Sequence, residues 1–79
     1  MSYRFHITKH EAERLDLRNI SWEEVKSVVC SHDRKQDEGR GRNGGRVWKF
    51  FKMRKSLALV VVAEIKKSER WVVTSYETN

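Results

Sequence analysis

Apolar and polar residues alternate at the start of this chain, with Tyr3, Phe5 and Ile7 on one side and Arg4 and His6 on the other. A period of two is the pattern of a half-buried strand, so a short first strand is expected from Tyr3 to Ile7. The period then lengthens. Thr8 with Glu11 three residues on reads as a capping box, and a helix is expected from about Lys9 to Leu17. Its apolar side is thin: Ala12 and Leu15, with Leu17 near the end. Ser21 with Glu24 is a second box. After it, Trp22, Val25, Val28 and Val29 fall at helical spacing and predict a second helix to about Ser31. Glu23 and Glu24 sit in its first turn, where the helix dipole favours negative charge. The short link from Arg18 to Ile20 suits two packed antiparallel helices.

The stretch from Asp33 to Arg46 is polar and holds all four glycines, so it reads as a mobile basic loop, with a ragged strand near Arg34 to Gln36. Three runs rich in β-branched and aromatic residues follow: Val47 to Met53, Leu57 to Ile65 and Arg70 to Tyr76. The short polar connections between them imply consecutive antiparallel hairpins. Leu57 to Ile65 is apolar on both faces and is expected at the centre of the sheet. The order β-α-α-loop-β-β-β describes an α+β domain with both helices on one face of a small antiparallel sheet.

Seventy-nine residues make one domain. A chain this short buries only ~60% of its unfolded surface. Cys30 is the only cysteine, so no disulfide forms within the chain, which fits a reducing compartment. No apolar run approaches the ~20 residues of a membrane span. The N-terminus lacks the apolar core of a secretion signal, so a cytoplasmic location is expected.

Charge changes the picture more than length does. The net charge is +6, but Met1 to Asp33 carries five basic and six acidic residues, and Ser56 to Asn79 three of each. Arg34 to Lys55 carries nine basic and two acidic residues, so the whole excess lies in one segment. A local positive patch steers and holds a polyanion, and RNA is the partner expected. Arg40, Arg42 and Arg46 are interleaved with glycines, whose backbone can approach a phosphate closely while arginine's planar fork matches its oxygens. There is no G-K-[ST] step of a Walker loop. Of Trp48, Phe50 and Phe51 in the strand that follows, at least two are expected in the core, together with Trp22 and Trp71. An exposed aromatic there could stack on a base.

His10, Arg14 and Arg18 recur every fourth residue and form one stripe of the first helix. Attack of a 2′-OH on the next phosphate needs a base, an acid and positive charge near the phosphorane-like transition state. Histidine serves as base or acid near neutral pH, and arginine supplies the charge. A salt-bridged surface helix explains the same spacing. Tyr76, at the end of the last strand, could orient a phosphate or cap the core. No zinc-binding spacing, Ser-His-Asp logic or paired carboxylates stand out, and neither metal nor cofactor is expected.

The stretch HEAERLDLRNISWEEV resembles the opening of a family of small RelE-like domains, through His10, Arg14, Arg18, Ile20, Ser21, Glu23, Glu24 and Val25 in order. The basic aromatic strand VWKFFKM, the valine-rich strand LALVVVAEI and the ending VVTSY are similar too, so the resemblance covers nearly the whole chain. The glycine-arginine loop matches no part of the pattern. The family is akin to the BrnT and RelE toxins of bacterial toxin–antitoxin pairs. The resemblance implies a small sheet with helices packed against it and a basic, cytoplasmic, metal-independent endoribonuclease neutralised by a cognate antitoxin. It also implies a site of His10, Arg14 and Arg18 with Lys49 or Lys52 and Tyr76. On this reading His10 is the general acid or base, and Arg14 and Arg18 hold the phosphate with one or more of Lys49, Lys52 and Arg54. Tyr76 orients the substrate, and Arg40, Arg42 and Arg46 hold the flanking backbone. Two other classes fit the same residues: a noncatalytic nucleic-acid-binding module, and a protein-interaction domain with an acidic partner. An exposed edge strand would suit a homodimer or an antitoxin-covered edge.

Overall fold

The computed structural model describes residues 3–78. Seven elements follow in order: β1 (Arg4–His6), α1 (Lys9–Leu17), α2 (Trp22–Cys30), β2 (Arg34–Arg40), β3 (Arg46–Arg54), β4 (Leu57–Lys66) and β5 (Glu69–Thr78). The strands form one five-stranded sheet in the order β1-β5-β4-β3-β2, so β4 is central, as its two apolar faces require.

Both helices begin at capped ends, but the two caps differ. Ser21 and Glu24 complete the reciprocal box. At α1 only half of the expected box forms: Thr8 accepts from the Glu11 amide at 3.1 Å, while the Glu11 side chain is buried. α1 ends in a Schellman motif. Asn19 takes the left-handed conformation at φ 57°, its amide donates to the Asp16 carbonyl, and the Ile20 amide donates to Leu15. Leu15 and Ile20 then enter the core together, and the chain turns back into α2 within four residues.

Both helices pack on one face of the sheet. Leu15, Ile20, Val25, Val28 and Val29 meet Phe50, Leu59, Val61, Ala63 and Val72 in one core. Trp22 packs at its edge with its ring perpendicular to Phe5. Two cations of β3 hold the ends of α2: Arg54 pairs with Glu24 in its first turn, and Lys52 donates to the C-cap carbonyl of Ser31 at 2.7 Å. Glu24 at the N-terminus and Lys52 at the C-terminus each complement the helix dipole.

Two expectations are corrected. The sheet is mixed, because β1 runs parallel to β5 while every other pair is antiparallel. Hairpins force antiparallel pairing on β2 to β5, but two helices and three strands separate β1 from its neighbour β5, so no local turn dictates its direction. The segment expected as a loop from Asp33 to Arg46 is also mostly ordered as strand. β2 runs over Arg34–Arg40, and its backbone pairs with β3 up to a bulge between Asp37 and Gly39. A strand needs a partner edge more than an apolar face, and β3 offers one. As an edge strand, β2 is strongly charged and bulged, two features that oppose pairing with another copy.

Candidate nucleic-acid interface

Side chains alternate across a strand, so the pairing register assigns each residue to a face. The helices cover the face of Trp48, Phe50, Lys52, Arg54, Leu59, Val61 and Ser75. The opposite face, which no helix covers, carries Arg34, Lys49, Phe51, Val60, Trp71, Thr74 and Tyr76. Phe51 and Tyr76 lie opposite Val60 on its two sides, and Val60 is fully buried although no helix lies over it. The Arg34 guanidinium sits 4.8 Å from the centre of the Phe51 ring, and Lys49 is the next residue of β3 on the same face.

At the other end of this face the turn between β2 and β3 folds over β4. Its anchor is Glu64, only 3% exposed, which accepts from the Asn43 amide at 2.9 Å, the Asn43 side chain at 3.0 Å and the Gly45 amide at 2.7 Å. The amides of Asn43 and Gly45, in the glycine-rich turn whose backbone could approach a phosphate, are occupied by this internal carboxylate. Between the turn and the β1–α1 junction lies a cleft of about 550 Å³, with His6, Thr8, Arg42, Val47, Trp71 and Val73 among its walls. His6 stacks on Trp71, with ring centroids 5.4 Å apart and planes 20° apart, and its Nε2 lies 2.5 Å from Glu69 Oε1.

The predicted site residues do not gather in one place. His10 and Arg14 are exposed on α1. Arg18 is turned inward and donates to the Ser75 carbonyl at 2.7 Å. α1 packs on the covered side of β5, so the strand separates this stripe from Tyr76 and Lys49 on the uncovered face. Lys52 and Arg54 lie on the covered face and hold α2, and Arg46 pairs with Asp37 at 3.1 Å. Among the described residues Arg40, Arg42 and Lys49 form neither an ion pair nor a side-chain hydrogen bond, which leaves them available to an external anion.

Sequence reading missed His6, Arg34 and Trp71. Trp71, expected in the core, faces away from the helices. Alternation already set His6 opposite Phe5, but its meeting with Trp71 depends on the parallel register of β1 on β5. The Ser21 amide holds the Glu24 carboxyl below its ordinary range; burial opposes this, and Arg54 and the Ser21 hydroxyl add to the lowering. Among the described residues no three His, Cys, Asp or Glu side chains converge as metal ligands would, and no helix is long and apolar enough to cross a membrane. Compared with known proteins, the chain matches no family model, no curated protein and no solved structure.

Proposed function

We propose that this protein binds single-stranded RNA across the uncovered face of its sheet. The observation that carries this reading is the placement of Lys49 and Arg34 beside Phe51 and Tyr76 on a face without helices. Cations that follow a backbone beside aromatic rings that accept bases form the common chemistry of single-strand binding. Of the acidic groups near that face, Glu64 is buried under the turn, Glu69 is engaged by His6 and Arg4, and Glu38 accepts from the Gln36 side chain. Fluorescence anisotropy with a labelled oligoribonucleotide tests the reading. Binding that weakens steeply with salt supports it, and no binding at 50–150 mM salt, about the range where phosphate contacts are strong, rejects it.

A second reading is the RelE-like endoribonuclease, the toxin of a toxin–antitoxin pair, with an antitoxin as partner. It is favoured by the exposure of His10 and Arg14 one turn apart on α1, where both can reach a substrate. In that mechanism His10 removes the 2′ proton or protonates the leaving 5′ oxygen, and Arg14 steadies the phosphate. The test is cleavage of total RNA in EDTA. Cutting by the wild type that is lost in His10→Ala and Arg14→Ala supports this reading; intact RNA with retained binding leaves the binding module.

A further inference from the structure

The cleft beside the β2–β3 turn differs in character from the open face. Val47, Trp71 and Val73 give it an apolar surface, and its polar groups are His6, Thr8, Arg40, Arg42, Asn43 and Glu64. Its volume, about 550 Å³, lies within the ~300–1,000 Å³ of small-ligand sites. Arg40 and Arg42 line one side without a partner among the described residues. The carboxylate within the cleft, Glu64, is covered by three N–H donors from Asn43 and Gly45. An anion entering here meets two cations, Arg40 and Arg42, against the one carboxylate of Glu64, whose oxygens are engaged by the N–H groups of the turn.

Opposite the arginines, the His6 ring is held flat on Trp71 and tied through Nε2 to Glu69. Its Nδ1 has no partner among the described residues. Thr8, which caps α1, also lines the cleft, so the positive end of a nine-residue helix starts at its edge. An apolar ligand would desolvate two arginines without return, and a bare phosphate would leave the valine floor unused. A ligand that joins a flat ring to a phosphate uses both.

We propose that this cleft binds one nucleotide, with its base on the Val47, Val73 and Trp71 surface and its phosphate at Arg42 and Arg40. His6, fixed by Glu69 and Trp71, presents Nδ1 to the sugar. The nucleotide is a residue of a bound RNA strand or a free nucleoside monophosphate. Only the first source rests on the RNA-binding reading.

The experiment titrates the intact chain with the four nucleoside monophosphates and with a short oligoribonucleotide, followed by ¹⁵N–¹H correlation spectra. Shifts confined to the amides of Arg42, Val47 and Val73 and to the Trp71 indole identify the cleft without any substitution. Arg42→Ala and His6→Ala, both at solvent-accessible positions, are each expected to weaken binding at least tenfold. Response to monophosphates and oligonucleotide alike supports the cleft with RNA as the source. Response to monophosphates alone supports the cleft as a free-nucleotide site and rejects the RNA reading. Oligonucleotide binding that shifts only Lys49, Phe51 and Tyr76, and is indifferent to Arg42→Ala and His6→Ala, keeps the RNA reading and overturns the cleft. Silence toward every ligand overturns both.

Discussion

The carboxylate of Glu64 occupies the space that a side chain at position 41 would need. A Cβ built on Gly41 would meet the carboxyl carbon and one oxygen of Glu64 and lie 2.6 Å from its Cγ. That carboxylate is buried and bound to Asn43 and Gly45, so it cannot swing aside cheaply. Gly41→Ala should therefore destabilise the protein by about 1–3 kcal/mol, the range of overpacking. Glu64→Ala should cost about 1–3 kcal/mol, because it leaves the part-buried amides of Asn43 and Gly45 without their acceptor. The two effects should not add: in the Glu64→Ala background the Gly41→Ala penalty should shrink by at least about 1 kcal/mol. Urea denaturation of the four proteins measures the coupling, and strict additivity would show that the contact does not matter.

Arg18 and Ser75 meet through a backbone carbonyl, which separates their roles. Replacing Arg18 by alanine removes a partly buried charged donor to Ser75 and should cost about 1.5–3 kcal/mol. Arg14→Ala, at an exposed position, should change stability by less than about 0.5 kcal/mol. The Ser75 hydroxyl is buried without a hydrogen-bond partner, so Ser75→Ala should raise stability by about 1 kcal/mol. Thermal and urea melts rank the three variants; an unchanged Arg18→Ala would free Arg18 for a direct role on substrate.

Glu24 links the start of α2 to pH. Its carboxyl is held below the ordinary value of 4.5, first by the Ser21 amide, and it also pairs with Arg54. The folded state therefore prefers the ionised form. The stabilisation is complete above the unfolded value and is lost as pH falls through the lower folded value. Wild type should exceed Glu24→Gln in stability at pH 7, and the gap should close in the window below about 4.5. Chemical denaturation at several pH values checks this; a gap that persists at the acid end would mean that charge is not the cause.

Lys49 and Phe51 should contribute to RNA affinity in different ways. Lys49→Ala should weaken binding to all sequences and lower the slope of log affinity against log salt by about 0.7, the contribution of one single-strand phosphate. Arg34→Ala should do the same. Phe51→Ala should lose about 1–3 kcal/mol of stacking with little change in slope. Salt-dependent anisotropy separates them. Equal slopes for wild type and Lys49→Ala would remove Lys49 from the interface.

Much of the fold was legible because it rests on local chemistry. The Ser21–Glu24 box, the helical spacing of the valines in α2, the apolar run of β4 and the short polar turns each act within a few residues, so alternation and capping expose them directly. Alternation also divided Trp48 and Phe50 from Lys49 and Phe51 before any partner was known. β2 was only partly visible, since RKQDEGR has no apolar face and its order comes from the edge that β3 provides.

The candidate site was less legible for the same reason. Sequence placed the charge excess in Arg34 to Lys55, but spacing could not say which cations face solvent. Tertiary structure decided that Lys52 and Arg54 hold α2, that Arg46 meets Asp37 and that Arg18 meets Ser75, while Arg40, Arg42 and Lys49 stay open. It also joined His6 to Glu69 and Trp71 through a parallel pairing of distant segments. Local pattern determines what each segment can form and which side of it is apolar; which charges find partners depends on contacts between segments far apart in the chain.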